Sequence, residues 1–394
     1  MSIRKRKWTT TAGTAKEAWV VDYVDQQGQR RLKTYGKKKD AEAFETTMRG
    51  EVVAGTHVPD RATATVAAAG EKWIESCKAA GLERTTIDQY RQHLDLHIVP
   101  FVGRSRLSHL SVHVVRDLQD RLRTQGRSPA MVKRVTTSLG SLVADAQERG
   151  LVARNAVREM TRGRARGKAR QGERRRRPRA QVGVEIPTRE EISAIVANIS
   201  ARWRPLLLTA IFSGLRASEL RGLRWSDIDI TEARLHVRQR ADRYQEMGMP
   251  KSDAGQRTVP IPALVANALR EWKLKCPKSE GDLAFPNSDG KIEWHSNIVS
   301  RGFIPAQITA GVIDGEGGAR YTGLHSLRHF YASWCINPKS AGGLELSPKV
   351  VQERLGHSSI TMTMDVYGHL FPKADDSEEL AAAAQNLLAT ARAT

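Results

Sequence analysis

The chain has 394 residues and a formal net charge of +20 at pH 7, from 63 Lys plus Arg against 43 Asp plus Glu. That excess points to a polyanionic partner, most simply nucleic acid, with an anionic membrane as the other candidate. No apolar run of about eighteen residues offers a bilayer span. The charged N-terminus, Arg4 to Lys7, has no apolar segment after it, so no signal peptide is expected. Cys77, Cys276 and Cys335 are scattered with no Cys-x-x-Cys, so the expectation is a reduced, cytoplasmic protein of two or three domains.

Residues 1–60 read as a small basic unit. Ala18 to Val24 has the composition of a strand, Gln27-Gly28 is a turn, and Arg30 to Tyr35 is the returning strand. A helix begins at Lys39. Twelve Lys or Arg against six acids fall within residues 1–49. A two- or three-stranded sheet of this charge fits a DNA major groove, with Arg30, Arg31 and Lys33 as candidate contacts.

Residues 63–160 read as all helix. Val66, Trp73 and Ile74 mark one apolar face. A second helix opens near Thr85 and continues through Leu94 and Ile98, and Pro100 and Gly103 are expected to break it. Ser111 precedes a third helix, and Ser128-Pro129 caps a fourth. Residues 161–186 then form a basic linker. Its stretch 162–179 holds ten Lys or Arg and one acid, Glu173. With so few apolar residues it should not fold alone, and Arg174, Arg175, Arg176 and Arg177 are candidate phosphate contacts.

From Pro187 to residue 372 the pattern is that of a folded domain. Thr188-x-x-Glu191 is a capping box ahead of an apolar stripe, Ile192, Ile195, Val196 and Ile199. Trp203 to Phe212 reads as a mostly buried helix. Gly214 breaks it, so Arg216 falls near the start of the next helix, where free N–H groups suit an anion. Leu235 to Val237 and Arg257 to Ile261 read as paired strands, with Lys251 on the long turn between them. Helices are expected from Ala263 to Lys275 and around Ile292 to Ile308.

The densest chemistry lies between residues 323 and 370. His325 and Arg328 are three apart and share a helix face. Phe330, Trp334 and Ile336 look like that helix's buried side. Ser347 and Pro348 start another helix, which Gly356 ends, so His357 sits just past a helix end. Ser358 or Ser359 can cap a third helix carrying Tyr367. His325 and His329 have the spacing of a metal pair, but no acid lies between them and no third ligand is evident, so no metal is assigned.

His325-x-x-Arg328, Leu355-Gly356-His357 and Tyr367, in this order, resemble box II of the tyrosine recombinases, the phage integrase family. Gly214-Leu215-Arg216-x-x-Glu219-Leu220 resembles box I, and the Lys251 turn resembles the catalytic β-hairpin. The resemblance is firm over 187–372 and looser over 1–160, where it implies an arm-type DNA-binding domain and a helical core-binding domain. The implied fold is mainly α with small antiparallel β-sheets, in a multidomain arrangement that ends in a tail, residues 373–394. That tail carries a short apolar face and is a candidate for docking on a neighbouring catalytic domain.

The implied activity is cleavage and rejoining of DNA through a 3′-phosphotyrosine, integrating or excising a mobile element such as a prophage. In that chemistry Arg216 and Arg328 clamp the phosphate, Tyr367 attacks and His325 takes or returns its proton. Lys251 protonates the leaving 5′-oxygen, and His357 donates a hydrogen bond. His329 is a candidate brace of the site, and Glu219 a candidate orienter of Arg216. No cofactor is implied, because cationic groups supply the electrostatic stabilisation. The implied partners are double-stranded DNA attachment sites and further copies of the chain in a tetramer, with DNA-bending and excision proteins as further candidates. The setting would be the nucleoid of a bacterial host. Two alternatives stay open on sequence alone: DNA relaxation of the type IB topoisomerase kind, and a non-catalytic DNA-binding protein on the same scaffold.

Overall fold

The computed structural model describes residues 1–9, 11, 15–25, 28–53, 63–164, 179–250, 252–371 and 385. The chain divides into two compact units, residues 1–175 and 176–394. The architecture is mainly helical with small antiparallel sheets.

The first unit opens with a three-stranded antiparallel sheet, β1 (Ser2–Thr9), β2 (Ala15–Val24) and β3 (Arg30–Tyr35), in the order β1-β2-β3. Helix α1 (Lys38–Val53) packs on one face, over Val21 and Tyr23 with Trp19, Tyr35 and Phe44 beside them. Sequence patterning indicates no strand where β1 lies. Its run of basic residues hides the alternation that marks a strand, yet it pairs with β2 over its full length, Ser2 opposite Asp22 to Thr9 opposite Ala15.

The register divides the expected DNA contacts between the two faces of the sheet. Arg4 pairs with Val20 and Arg6 with Ala18, while Val20 pairs with Thr34 and Val24 with Arg30. Directly opposed residues share a face, so Arg4, Arg6, Trp8 and Arg30 line the face away from α1. Arg31 and Lys33 lie on the helix-covered face. There Arg31 is 2.9 Å from Asp25, and Lys33 stands 4.5 Å over the Phe44 ring. Arg30 itself is held by Asp22.

The same unit also contains α2 (Val66–Ala79), α3 (Arg84–His93), a π-helical turn (Leu94–Ile98), α4 (Val99–Val102), a 3-10 turn (Leu107–His109), α5 (Val112–Thr124), α6 (Pro129–Glu148) and α7 (Ala156–Arg164). They enclose a core of their own, with Trp73, Leu94, Leu118, Leu139 and Leu142 inside. Ser111 and Ser128 cap α5 and α6 with their side chains, as the sequence indicates. Pro100 does not break the second helix. The wider π turn before it relieves the clash between the proline ring and the preceding turn, so the helix runs on to Val102.

The second unit contains α8 (Arg189–Asn198), α9 (Arg204–Ser213) and the short α10 (Ala217–Arg221), followed by a sheet of β4 (Ile228–Asp229), β5 (Arg234–Val237) and β8 (Arg257–Pro260). A small hairpin, β6 (Arg240–Ala241) and β7 (Met247–Gly248), lies between β5 and β8 in sequence. Then come α11 (Ala263–Lys275), α12 (His295–Asn297), a π turn (Ile298–Phe303), α13 (Ile304–Thr309), α14 (His325–Ile336), α15 (Pro348–Leu355) and α16 (Ile360–Tyr367). Helix α14 carries nine buried residues, so every side chain it sends outward is fixed by the core on its other side. The Thr188–Glu191 capping box forms, and Ser359 caps α16. Ser347 stands at the start of α15 without a side-chain cap bond, leaving Pro348 to set that helix start. No described helix is long and apolar enough to cross a membrane.

Candidate active site

Gly214 sets the first wall of the site. It ends α9 in the left-handed region at φ 62°, and a Cβ there would stand 2.3 Å from the Tyr331 ring. Only glycine fits both constraints. The turn delivers Arg216 to the start of α10, with its side chain about one-third exposed. Its backbone N–H, however, donates to Glu219 Oε2 at 2.8 Å, so this helix start is closed by its own carboxylate. Arg216 Nη1 reaches Glu219 Oε1 at 2.7 Å, and Nη2 reaches the carbonyl of Gly356 at 3.0 Å.

Arg328 comes from the buried side of α14 and is 2 % exposed. It donates to the carbonyls of Gly214 and Leu355, tying the box I turn to the end of α15. Burial and the neighbouring Arg216 weaken its hold on its proton, pushing it down to about 9. It therefore stays cationic at neutral pH.

The end of α15 repeats the glycine device. Gly356 is left-handed at φ 62° and turns His357 inward, where it is 7 % exposed. His357 Nδ1 and Thr363 Oγ1 are 2.9 Å apart. Burial and the guanidiniums of Arg328 and Arg216 push this imidazole down to about 3, so it is neutral. Its ring lies parallel to that of Tyr367, with centroids 6.5 Å apart.

Tyr367 ends α16 and is 2 % exposed. Its hydroxyl lies 2.7 Å from Nδ1 of His329. Burial pushes the phenol up to about 12, against the pull of Arg328. His329 meets His325 edge to face at 4.5 Å. Burial, then His325 and Arg328, push His329 down to about 4, with Glu185 acting the other way. His325 is more exposed and is likewise lowered, by burial, Arg328 and Arg216.

The sequence-named residues Arg216, Glu219, His325, Arg328, His329, His357 and Tyr367 thus gather in one cluster. Lys251 lies outside the described residues, as do Arg174 to Arg177 and all of the tail but residue 385. The sequence reading missed Arg257. From β8, its Nη2 sits 2.9 Å from Glu219 Oε2, and it also donates to the carbonyls of Arg354 and Gly255. Burial raises the Glu219 carboxyl, but Arg257 and then Arg216 outweigh it and hold the group below the usual range. The rival tyrosines stand elsewhere. Tyr331 is fully buried against Gly214, and Tyr321 donates to Glu191 at 2.7 Å.

Two guanidiniums, neutral buried imidazoles and a tyrosine at a helix end define a catalytic domain of the tyrosine recombinase class. Residues 187–374 match the phage integrase family. A XerC-like tyrosine recombinase of Caldanaerobacter subterraneus is 26 % identical over 374 residues, covering 87 % of this chain and 89 % of the relative. XerC of Xylella fastidiosa is 33 % identical over 187 residues, but that match spans 48 % of the chain and about half, 52 %, of the relative. Among solved structures, the Tn1549 transposon integrase in complex with transposon right end DNA superposes with a TM-score of 0.63 at 17 % identity, over 82 % of this chain and all of that one (100 %). A lambda integrase dimer bound to a core site gives 0.55 at 16 % identity, over 94 % and 97 % of the two chains. Residues 187–374 thus form a domain of the phage integrase family, and the two relatives above are tyrosine recombinases.

Proposed function

We propose that this chain integrates or excises a mobile DNA element by cleaving each strand through a 3′-phosphotyrosine at Tyr367. The observation that carries this is the convergence of Arg216, Arg328, His357 and Tyr367 from four separate helices on one cluster. A phosphodiester gains charge as it is attacked. Arg216, the more exposed guanidinium, meets that charge directly, while buried Arg328 supplies a fixed positive field beneath it. His357, held by Thr363, presents its other nitrogen as a donor. His325 flanks the same cluster and is suited to proton transfer. Lys251 on its turn is the general acid for the leaving 5′-oxygen.

Tyr367 must meet the phosphate from a buried position. Helix α16 is suited to yield, since Ile360, Met362 and Met364 are 40, 44 and 43 % exposed and the helix buries only Thr363 and Tyr367. The relatives support the wider reading: one solved lambda integrase is a tetramer bound to a Holliday junction, and one Tn1549 integrase is bound to a circular intermediate DNA. On that basis the working form is a tetramer on two attachment sites. The open face of the N-terminal sheet, Arg4, Arg6, Trp8 and Arg30, holds a second DNA segment, and accessory DNA-bending and excision proteins set direction.

Supplying the protein with two duplexes carrying the element's ends tests the reading. Strand-exchanged products are expected. Relaxation of supercoiled plasmid without exchange would favour the topoisomerase alternative, and tight binding with neither outcome would favour the non-catalytic one.

A further inference from the structure

Among the described residues, the Tyr367 hydroxyl has one hydrogen-bond partner, Nδ1 of His329 at 2.7 Å. His325, which the family pattern names for proton transfer, makes no hydrogen bond to the phenol there. It touches the ring of His329 instead. His329 follows His325 by one helical turn on α14, whose far side is locked in the core. Its ring is therefore held in place independently of α16.

We propose that His329 is the base that takes the Tyr367 proton in strand cleavage and returns it in religation. The proposal rests on the reading of Tyr367 as the nucleophile. The bond from Tyr367 Oη to phosphorus forms while the bond from phosphorus to the 5′-oxygen breaks. The phenolic proton passes along the existing contact to Nδ1, in the tautomer that carries its own proton on Nε2. The leaving oxygen takes a proton from Lys251, and religation runs both transfers in reverse, so no proton is consumed overall.

The charged and titratable groups facing His329 are His325 and Arg328 on its own helix, Tyr367 on α16 and Glu185 on the turn before α8. Together with burial they leave the ring neutral at pH 7, with a lone pair free to accept. A phosphodiester entering beside Arg216 and Arg328 adds negative charge and raises the proton affinity of His329 as the attack proceeds. A neighbouring imidazole of this kind is the usual means of activating a hydroxyl whose own pKa is far above the working pH.

The test is single-turnover cleavage of a nicked suicide duplex by the full chain at saturating DNA, between roughly pH 6 and 9. Two variants separate holding from proton transfer. His329→Asn keeps a hydrogen-bonding atom at the Nδ1 position but cannot take a proton, whereas His329→Ala leaves space for free imidazole. Both should melt and bind DNA like wild type and cleave on the order of 10²-fold more slowly. Their rates should climb about tenfold per pH unit where wild type is flat. Added imidazole should restore His329→Ala and leave His329→Asn unchanged. Wild-type rates in either variant would overturn the proposal. So would a loss that is flat with pH and deaf to imidazole, which would make His329 a packing residue. If His329→Ala does not fold, the pH slope of His329→Asn decides. Wild-type protein whose adduct maps to another tyrosine would instead sink the nucleophile assignment, and this proposal with it.

Discussion

Arg257 and Glu219 form a buried ion pair, 2.9 Å apart, with side chains only 6 and 2 % exposed. The same carboxylate also holds Arg216. Glu219 is thus the hub through which β8 fixes the angle of Arg216. Removing one partner of a buried pair typically costs about 3–5 kcal/mol. Arg257→Met should fall at the low end, near 3 kcal/mol, because Glu219 keeps Arg216. Urea denaturation measures the stability. Cleavage rates should drop beyond what the stability loss explains, and a variant that is destabilised but fully active would remove Arg257 from the site.

Gly214 gives a sharper structural prediction. Alanine there would carry a left-handed strain of roughly 1–2 kcal/mol and drive its Cβ into the Tyr331 ring. Gly214→Ala should lower stability by several kcal/mol in total, about 2–5 when typical overpacking costs are included. Tyr331→Leu in the same chain should recover the packing part but not the backbone part. If the double variant is no more stable than Gly214→Ala, the ring contact is not the cause.

Acid should weaken the catalytic domain. His357 is pushed down to about 3 and His329 to about 4, against about 6.5 for a free imidazole. Above that free value neither folded nor unfolded chain is protonated at these positions. Below it the unfolded chain binds protons that the folded chain refuses, so stability falls as pH drops from about 6.5 towards 4 and then 3. Melting temperature followed across this window should decline in wild type and decline less steeply in His329→Asn or His357→Asn. Equal slopes would place the titration elsewhere.

Salt dependence tests the two proposed sets of DNA contacts. Each neutralised phosphate adds roughly 0.9 to the log–log slope of affinity against salt. Changing Arg174 to Arg177 to alanine should lower the slope by about 3 if all four touch phosphate, equally on specific and nonspecific DNA. On the N-terminal sheet, Arg6→Ala should lower the slope and Lys33→Ala should not, because only Arg6 lies on the face away from α1. A larger effect from Lys33 would mean that the helix-covered side is the one that binds.

Much of the second unit was legible because its motifs coincide with helix ends. The Gly214 and Gly356 stops, the capping box and the His325-x-x-Arg328 spacing each carry a local signal. What escaped has no local signal. Glu219 needs a buried cation, but nothing in the sequence says that it comes from Arg257, 38 residues away. The contact between His329 and Tyr367 also spans 38 residues, so no local spacing marks it, and the sequence points to His325 for the proton and to His329 only as a brace. Strand β1 escaped because a charged, exposed strand lacks the apolar alternation that reveals one, and the helix through Pro100 because a π turn leaves no mark in composition.

The central claim is that Tyr367 attacks DNA. Incubating wild type, Tyr367→Phe and Tyr331→Phe with a nicked suicide duplex, then mapping the covalent peptide, tests it most directly. An adduct is expected on Tyr367 in wild type and Tyr331→Phe, and none in Tyr367→Phe despite unchanged DNA affinity. An adduct that persists in Tyr367→Phe would contradict it.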